Sequence, residues 1–244
     1  MTYCVGLRLK RGLVFMSDTR TNAGVDNISQ YRKMFTWQKP GERVLVMMTA
    51  GNLATTQAVV SMLDERTKAP EERNPSILEV PSMFQAARTV GGVLRDVIKD
   101  TAPGPGKQAE SPFTATIILG GQIKGSEPRL FMIYPEGNFV EASDETPFFQ
   151  IGETKYGRPI LVRAYDPEMS FEAAVKLLMV SFDSTIKANL SVGLPLDLLM
   201  YETDALEVKT EQRIEEDDPY YHLISDNWGE ALKFAFASLP DYKI

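Results

Sequence analysis

One run of residues constrains the fold of this chain more than any other. Residues 44–50, Val-Leu-Val-Met-Met-Thr-Ala, are almost wholly apolar, which predicts a strand that is buried on both faces. Such a strand needs a packed layer on either side of it. The chain has 244 residues, of which 43% are hydrophobic and 24% charged, so it is long and apolar enough to bury one large core.

The order of the predicted elements gives the fold class. Alternation and apolar runs predict strands at 3–9, 13–17, around Phe35 and Trp37, and at 44–50, 113–119, 129–134, 138–142, 196–202 and 206–213. Apolar residues at helical spacing predict helices at about 52–66, 82–98, 170–189 and 223–239. This order is typical of an α+β protein in which two stacked sheets lie between helices, a four-layer αββα sandwich. Because no internal repeat or linker interrupts the chain, we expect residues 1–244 to form a single domain.

Three local details of these segments are also predicted. The pair Gly91-Gly92 inside the second helix indicates a close helix crossing, since each glycine costs the helix about 1 kcal/mol relative to alanine. The last helix is predicted to turn Trp228, Leu232, Ala235 and Phe236 inward. Segments 68–75 and 103–108, rich in proline and polar residues, are predicted loops.

Charge and composition exclude several classes of function. The net charge of −7 argues against nucleic acid or an anionic membrane as a partner, and no stretch approaches the roughly 20 apolar residues of a membrane helix. The amino terminus lacks the pattern of a signal peptide, so we expect a cytoplasmic protein. One cysteine permits neither an intrachain disulfide nor a cysteine zinc cluster, and we expect no metal ion or cofactor. With His222 as the one histidine, a Ser-His-Asp or Cys-His site is unfavourable.

The position of Thr2 directly behind Met1 is compatible with a catalytic mechanism that needs no histidine. Methionine aminopeptidase normally removes an initiator methionine that precedes a small residue. The mature chain would then carry a hydroxyl and a free α-amine on the same threonine. A hydroxyl needs a base beside it, and an α-amine has an ordinary pKa of about 8, close to working pH. Thr2 is therefore a candidate N-terminal nucleophile.

Four segments occur in the order and spacing of a known enzyme family. They are Thr2, Asp18-Thr-Arg-Thr21, Lys33, and Thr49-Ala-Gly-Asn-Leu-Ala-Thr-Thr-Gln57. Together they resemble the core of proteasome β-type subunits. Those are N-terminal-nucleophile hydrolases with a terminal threonine, an Asp-x-Arg segment, a lysine, and an Ala-Gly segment that opens a helix. The resemblance implies the αββα sandwich of that family and a threonine-type peptidase or amidase activity.

A further segment narrows the resemblance within the family. Residues 149–160, Phe-Gln-Ile-Gly-Glu-Thr-Lys-Tyr-Gly-Arg-Pro-Ile, are similar to the bacterial Anbu branch, the "ancestral β subunit". So is a nucleophile directly behind the initiator methionine. The bacterial HslV protease also has a short leader, but it usually carries Gly-Ser-Gly where this chain has Gly152-Glu153-Thr154.

The resemblance implies a role for each matched residue. Thr2 Oγ attacks the scissile carbonyl of a peptide, and its own α-amine is the base. Lys33 is an ammonium beside Thr2 that stabilises the alkoxide and opposes protonation of the amine. Asp18 pairs with Lys33 and keeps it charged. The amide of Gly51, just before a helix N-terminus, forms the oxyanion hole.

The same resemblance implies the contacts with the substrate. Thr21 and Gly51 bind the substrate backbone as an added strand. The pocket for the side chain before the cut carries no charged residue, so we expect an uncharged side chain there. Its lining is formed by Thr21, Tyr31, Phe35, Thr49 and Leu53.

Two departures from the family pattern leave two functions open. Glu153 stands where the family commonly has a serine, and Asn189 stands where an aspartate is expected. Glu153 either replaces the lost negative charge or disables the site, and Asn189 is an uncharged acceptor for the amine. The chain is thus either a self-assembling threonine peptidase or a proteasome-like assembly subunit whose site has decayed.

Assembly is implied by the resemblance in both cases. Proteasome-like subunits work as rings or stacked rings, and the Anbu branch is thought to form open, helically offset assemblies. The apolar helices at 82–98 and 223–239 also supply more apolar surface than one pair of sheets needs. We therefore expect a high-order homo-oligomer, ring or helical, acting on peptides. The sequence does not indicate whether an ATPase is a partner.

Overall fold

The computed structural model describes residues 1–22, 28–69, 75–101 and 113–243. The predicted loop 103–108 and most of the predicted loop 68–75 lie outside these ranges. The strands of the described residues are β1 (Tyr3–Leu9), β2 (Gly12–Asp18), β3 (Arg20–Asn22), β4 (Ile28–Gln30), β5 (Met34–Lys39), β6 (Arg43–Gly51), β7 (Ala115–Ile123), β8 (Arg129–Ile133), β9 (Phe139–Glu141), β10 (Phe148–Gly152), β11 (Leu196–Glu202) and β12 (Thr210–Ile214). The helices are α1 (Leu53–Lys68), α2 (Met83–Thr101), α3 (Arg158–Ala164), α4 (Phe171–Ala188) and α5 (Pro219–Ala237).

Antiparallel pairing joins the described strands into two large sheets and a small hairpin. One five-stranded sheet has the order β10-β1-β2-β11-β12, the other has the order β5-β6-β7-β8-β9, and β3 pairs with β4. Helices α1 and α2 pack on the second sheet, whereas α4 packs on β1 and β2 of the first. Helices α3 and α5 pack on α4. The predicted α+β class and its four αββα layers are confirmed.

Strand β6 is buried on both faces, as its apolar run predicts. Leu45 and Met47 pack into the core beneath α1 and α2. Val44, Val46 and Met48 point the other way, into the core between the two sheets. All five side chains are fully buried. Because successive side chains of a strand alternate between faces, one apolar strand contributes to two cores.

Strand β1 alternates in the same way against the opposite helical layer. Tyr3, Val5 and Leu7 pack in the core under α4, and Cys4 lies between the sheets. The predicted alternation of this strand is confirmed. The first strand of the chain therefore has both faces packed, and the residue before it is held at the end of a rigid sheet.

The glycine pair of α2 makes a close contact, but not with another helix. A Cβ atom on Gly91 would lie 2.2 Å from the carbonyl oxygen of Gly137, in the turn between β8 and β9. Gly92 has open space beside it. The predicted helix crossing is wrong, because α2 lies directly over a β-turn whose backbone approaches Gly91.

The predicted inward face of the last helix is wrong for Leu232, Ala235 and Phe236, whereas Trp228 is half-buried. Leu232 and Phe236 are exposed, and Phe234 beside them is exposed too. Within the described ranges only α4 packs strongly on α5, and no layer of those ranges covers most of the length of α5. The helix starts at Pro219, four residues before the predicted start, since Asp218 caps it by accepting the Tyr221 amide. No helix in the described ranges is long and apolar enough to cross a membrane.

The sequence did not predict four short elements, and it misplaced one strand. Strands β3 and β4 have three residues each, β10 has five and α3 has seven, too few for a periodic signal. Strand β12 begins at Thr210 rather than at Leu206, because Leu206 adopts a positive φ of 51°, outside the strand conformation. Strand β10 and helix α3 both overlap the 149–160 segment that carries the Anbu resemblance.

Candidate active site

Four strand ends meet at one end of the stacked sheets. Thr2 precedes β1, Asp18 ends β2, Lys33 precedes β5 and Gly51 ends β6. The Tyr3 amide donates to Asp18 Oδ1 at 2.9 Å, which ties the start of β1 to the end of β2. Lys33 Nζ reaches the same carboxylate oxygen at 2.8 Å, which ties the second sheet to the first. The structure therefore brings together the four residues that the sequence analysis assigns to catalysis.

The Lys33–Asp18 pair is buried, with 6% of the lysine side chain and none of the aspartate side chain exposed. Lys33 Nζ also donates to the carbonyl oxygens of Arg20 at 2.6 Å and Met1 at 3.4 Å. An ammonium has three donors, so these three acceptors use its full capacity. The three hydrogen bonds hold the Lys33 ammonium in one position beside the start of β1 and the end of β2.

The carboxylate of Asp18 is only partly compensated. Its Oδ1 accepts hydrogen bonds from Tyr3 and Lys33, whereas its Oδ2 has no hydrogen-bond partner among the described residues. Burial raises the pKa of Asp18 above its ordinary value, and the charge of Lys33 opposes that rise. The charge on Asp18 therefore depends on Lys33.

The α-amine of the chain lies in the same electrostatic environment. In the structure this amine belongs to Met1. Its pKa is lowered, first by burial and then by the charge of Lys33, while the charges of Asp18 and Glu153 oppose the shift. A lower pKa leaves more of the amine unprotonated at neutral pH.

Thr2 is fixed by a tight backbone contact with β10. The Glu153 amide donates to the Thr2 carbonyl oxygen at 2.7 Å. Gly152 has a φ of +86°, and a Cβ atom there would lie 1.9 Å from the same oxygen. Only glycine fits this position, for both its backbone conformation and its contact. Sequence reasoning gave Gly152 no role, although the segment that contains it carries the Anbu resemblance.

Gly51 marks the passage from β6 into α1. Its φ is +124°, and a Cβ atom there would lie 2.4 Å from the Thr114 carbonyl oxygen. The next residue, Asn52, caps α1, since its side-chain oxygen accepts the Thr55 amide at 3.1 Å. The positive end of the α1 dipole therefore lies next to Gly51.

A cleft of about 490 Å³ opens at this end of the sheets. Of the expected pocket residues, Thr21, Phe35, Thr49 and Leu53 line it. Tyr31 does not line it, and its side chain is exposed. The lining is formed by Met1, Thr2, Thr21, Arg32, Lys33, Phe35, Thr49, Ala50, Gly51, Leu53, Thr56, Gln57 and Gly152.

The cleft as a whole is not uncharged, although the expected pocket residues that line it are uncharged. Arg32 lines the cleft, and sequence reasoning gave it no role. Its position next to Lys33 was the one feature of the sequence that placed it near the site. The family pattern specifies the lysine and not its neighbour, so a motif comparison does not identify Arg32.

Glu153 and Asn189 form a pair beside the nucleophile. Asn189 Nδ2 donates to Glu153 Oε2 at 3.0 Å, and Asn189 Oδ1 accepts the Ser191 amide at 2.9 Å. Both polar atoms of Asn189 therefore have partners within the described residues, and its Oδ1 keeps a second acceptor position. The charge of Glu153 acts on the amine, as the pKa of that amine indicates.

A larger cleft lies away from these residues. It measures about 840 Å³, lies beside β9 and β10, and contains none of the residues assigned to the site from the sequence. Within the described residues no group of three His, Cys, Asp or Glu side chains is arranged to hold a metal ion. The candidate chemistry is therefore concentrated in the smaller cleft around Thr2.

Comparison with known proteins identifies the family. The sequence profile of the family described as "Proteasome subunit" matches residues 2–193. The chain belongs to this family. The proteasome subunit beta of Haloquadratum walsbyi is 23% identical over 216 residues, which cover 88% of this chain and 79% of that protein. The resemblance that the sequence motifs carry is thus confirmed.

Solved structures of Anbu proteins match this proteasome-family chain over its whole length. A Gly-1 mutant of Anbu from Hyphomicrobium sp. strain MC1 is 50% identical, with all of both chains covered and a TM-score of 0.92. A structure described as the helical assembly of the Anbu complex from Pseudomonas aeruginosa is 44% identical, with 99% and 98% of the two chains covered and a TM-score of 0.92. These similarities support a peptidase-type hydrolase function in general terms.

Proposed function

We propose that this chain is a threonine peptidase or amidase that uses Thr2 as its N-terminal nucleophile once Met1 is removed. One observation carries the proposal. Thr2, the ammonium of Lys33 and the backbone of Gly51 border a single cleft. A nucleophile, a fixed positive charge and a backbone donor are the components that acyl transfer requires.

Removal of Met1 changes what Lys33 can bind. One of its three acceptors is the Met1 carbonyl oxygen, at 3.4 Å. When that carbonyl is gone, one N–H of the ammonium is free next to Thr2, while Asp18 and the Arg20 carbonyl hold the other two. The freed donor stabilises the alkoxide that forms as Thr2 Oγ attacks the substrate carbonyl.

The α-amine of Thr2 is the base in this proposal. It takes up the proton of the Thr2 hydroxyl and later passes a proton to the departing amine of the substrate. The environment that lowers the pKa of the Met1 amine, burial together with Lys33, also surrounds Thr2. A lowered pKa increases the fraction of the amine that is unprotonated at neutral pH, and only that fraction can act as a base.

Gly51 completes the site from the side of the second sheet. Its backbone lies at the N-terminal end of α1, where unpaired amides and the helix dipole favour a developing negative charge. Together with Thr21, it offers backbone groups to an extended substrate.

We further propose that the chain works as a homo-oligomer. Helix α5 exposes Leu223, Leu232, Phe234 and Phe236, a larger apolar surface than an isolated subunit normally presents to water. The Anbu complex of Pseudomonas aeruginosa is described as a helical assembly. The expectation that α2 also supplies free apolar surface is wrong, because its apolar face is buried against the second sheet.

The alternative, an inactive assembly subunit, is favoured by one observation. Glu153 is buried and places a carboxylate where the family commonly has a serine. A carboxylate near the amine favours the protonated form of that amine, which cannot act as a base.

Intact mass spectrometry of the purified protein tests the choice between the two functions. We expect a mass that lacks Met1, and one adduct per chain after treatment with an electrophile that traps terminal threonine. The variant Thr2→Ser keeps a hydroxyl and an amine and should still be trapped. The variant Thr2→Ala should show neither an adduct nor peptidase activity. Activity of Thr2→Ala above that of a mock purification would rule out Thr2 as the nucleophile.

Light scattering tests the assembly. We expect a mass of many copies at micromolar concentration for the wild type and for Thr2→Ala. A single species near 27.3 kDa, the mass of one chain, would contradict it.

A further inference from the structure

Arg32 places a positive charge in the wall of the cleft that contains the nucleophile. It lines the same cleft as Thr2, and 56% of its side chain is exposed. It lies in the connection between β4 and β5, directly before Lys33. A substrate that approaches Thr2 therefore passes beside Arg32, whose guanidinium lies towards Glu211 at the border with a neighbouring cleft.

The other charges of the cleft do not cancel that of Arg32. Lys33 is the second side-chain cation of the lining, and its own charge is balanced by the buried Asp18. Among the described residues, no aspartate or glutamate lines the cleft. The remaining lining side chains are apolar or uncharged, so the carboxylate that competes with a substrate for Arg32 is that of Glu211, which does not line the cleft.

Among the residues that the structure describes, one partner engages Arg32, and it does so weakly. An Nη atom of Arg32 donates to Glu211 Oε1 of β12 at 2.9 Å, and 41% of the glutamate side chain is exposed. Exposed ion pairs of this kind contribute little to stability, because water and salt screen the two charges. A guanidinium has five N–H donors in a planar fork, so donors remain for a second carboxylate. Glu211 therefore orients Arg32 without using up its binding capacity.

We propose that the cleft selects peptides that carry a carboxylate side chain close to the scissile bond, with Arg32 as the residue that determines this specificity. Arginine binds carboxylates through two parallel hydrogen bonds, which gives the contact both strength and geometry. The proposal rests on the proposed function, since it assigns a substrate class to the Thr2 site. It replaces the uncharged preference that the sequence suggested.

The test compares matched peptide electrophiles on the assembled, Met1-free protein. Pairs of tripeptide epoxyketones differ only by glutamate or glutamine at one of three positions, so each pair changes charge and not shape. The rate of Thr2 adduct formation, followed by intact mass, gives a Glu/Gln ratio for each position. In the wild type we expect a ratio of about five at one position or more, the size of a partly exposed charge-assisted hydrogen bond.

Two variants and a control connect the ratio to Arg32. In Arg32→Gln the ratio should fall to about one. In Glu211→Gln it should rise above the wild-type value, because the competing carboxylate is removed while Arg32 stays. Arg95→Gln on α2, which removes the same charge from a side chain that is 62% exposed and does not line the cleft, should keep the wild-type ratio. A wild-type ratio near one, or a ratio that survives Arg32→Gln, overturns the proposal.

A further measurement separates failure of this proposal from failure of the proposed function. If no epoxyketone labels Thr2, the nucleophile assignment fails. In that case the specificity is tested by binding instead of reaction. Fluorescent Glu and Gln peptides are bound to Thr2→Ala and to the double variant Thr2→Ala with Arg32→Gln, and their affinities are measured by anisotropy. Tighter binding of the Glu peptide that requires Arg32 supports the proposal, and equal binding of the two peptides rejects it.

Discussion

At the scale of single residues, the site depends on a buried ion pair in which each charge needs the other as its partner. Asp18 is fully buried, one of its oxygens lacks a partner among the described residues, and burial raises its pKa. Lys33 compensates it and in return is held by Asp18 and two carbonyl oxygens. Removing one member of such a pair leaves an uncompensated buried charge, which is more costly than removing both.

We predict that Lys33→Met abolishes trapping of Thr2 and lowers the free energy of unfolding by about 3–5 kcal/mol at pH 7. The loss should shrink at pH 5. Without Lys33 the folded-state pKa of Asp18 rises further above its unfolded value. The folded state then binds the proton more tightly, so stability increases as the pH falls through the folded pKa. Urea unfolding of variant and wild type at both pH values measures the difference.

The double variant Asp18→Asn with Lys33→Met is the control for that prediction. It removes both charges, so it should be less destabilised than Lys33→Met at pH 7 and should show no such dependence on pH. An equal loss of stability for Lys33→Met at pH 7 and pH 5 would contradict a charged, uncompensated Asp18.

A second residue-scale prediction concerns the glycine that contacts Thr2. Gly152→Ala combines a positive φ with a Cβ atom 1.9 Å from the Thr2 carbonyl oxygen, so the backbone of Thr2 must move. We expect trapping of Thr2 to be lost and the melting temperature to fall. Gly41→Ala is the matched control, because Gly41 has a φ of +75° and open space around it. This variant should lower the free energy of unfolding by only about 1 kcal/mol, which is the cost of placing alanine at a positive φ. Trapping of Thr2 should be unchanged. Equal effects of the two variants would show that the contact with Thr2 is unimportant.

At the scale of elements, α5 stands apart from the other long helices. The apolar faces of α1, α2 and α4 are buried against a sheet, whereas α5 packs on α4 and leaves most of its own apolar side chains in water. The cap at Asp218 and Pro219 defines where it begins, but a cap does not determine what the helix packs against. An amphipathic helix with an uncovered face is typical of a contact between subunits.

We predict that Phe234→Ser together with Phe236→Ser reduces the mass of the assembly seen by light scattering. Both side chains are 79% exposed in the single chain, so the helical content seen by circular dichroism should not change. Val162→Ser on α3, where the side chain is 61% exposed, is the control and should leave the mass unchanged. An unaltered mass in the double variant would show that assembly does not use this end of α5.

At the scale of the whole molecule, the contact between the two sheets sets the distance between the parts of the site. Asp18 belongs to the first sheet, and Lys33 and Gly51 border the second. Glycines let the sheets approach closely: a Cβ atom on Gly120 would lie 2.7 Å from Phe15 Cζ and 2.9 Å from Leu130 Cδ1. Packing between the sheets is therefore as important to the site as the site residues themselves.

We predict that Gly120→Ala destabilises the protein by about 1–3 kcal/mol, because the added methyl group overpacks the layer between the sheets. Phe15→Leu removes the ring atom that the methyl group would strike. The double variant should therefore lose less free energy of unfolding than the sum of the losses of the two single variants, by at least about 0.5 kcal/mol. Denaturant unfolding of the two single variants and the double variant measures this coupling. Strict additivity would show that the clash is relieved elsewhere.

The sequence by itself determined the layers and the positions of the matched residues. The doubly apolar run of β6 and the alternation of β1 are local patterns, and they specify which faces are buried wherever the strands lie. The order of elements specifies the αββα class for the same reason. Thr2, Asp18, Lys33 and Gly51 were identified because each lies in a short segment of the family pattern.

Only the tertiary structure decided what these residues touch. The pair of Arg32 with Glu211 spans 179 positions of the chain, and Gly152 contacts Thr2 because β10 pairs with β1. The outward face of α5 likewise follows from which layer lies beneath it, since the apolar spacing of the helix would suit a buried or an exposed position equally. Local periodicity specifies which residues prefer burial, but contacts between distant segments depend on how the sheets pair and stack, and no local pattern contains that information.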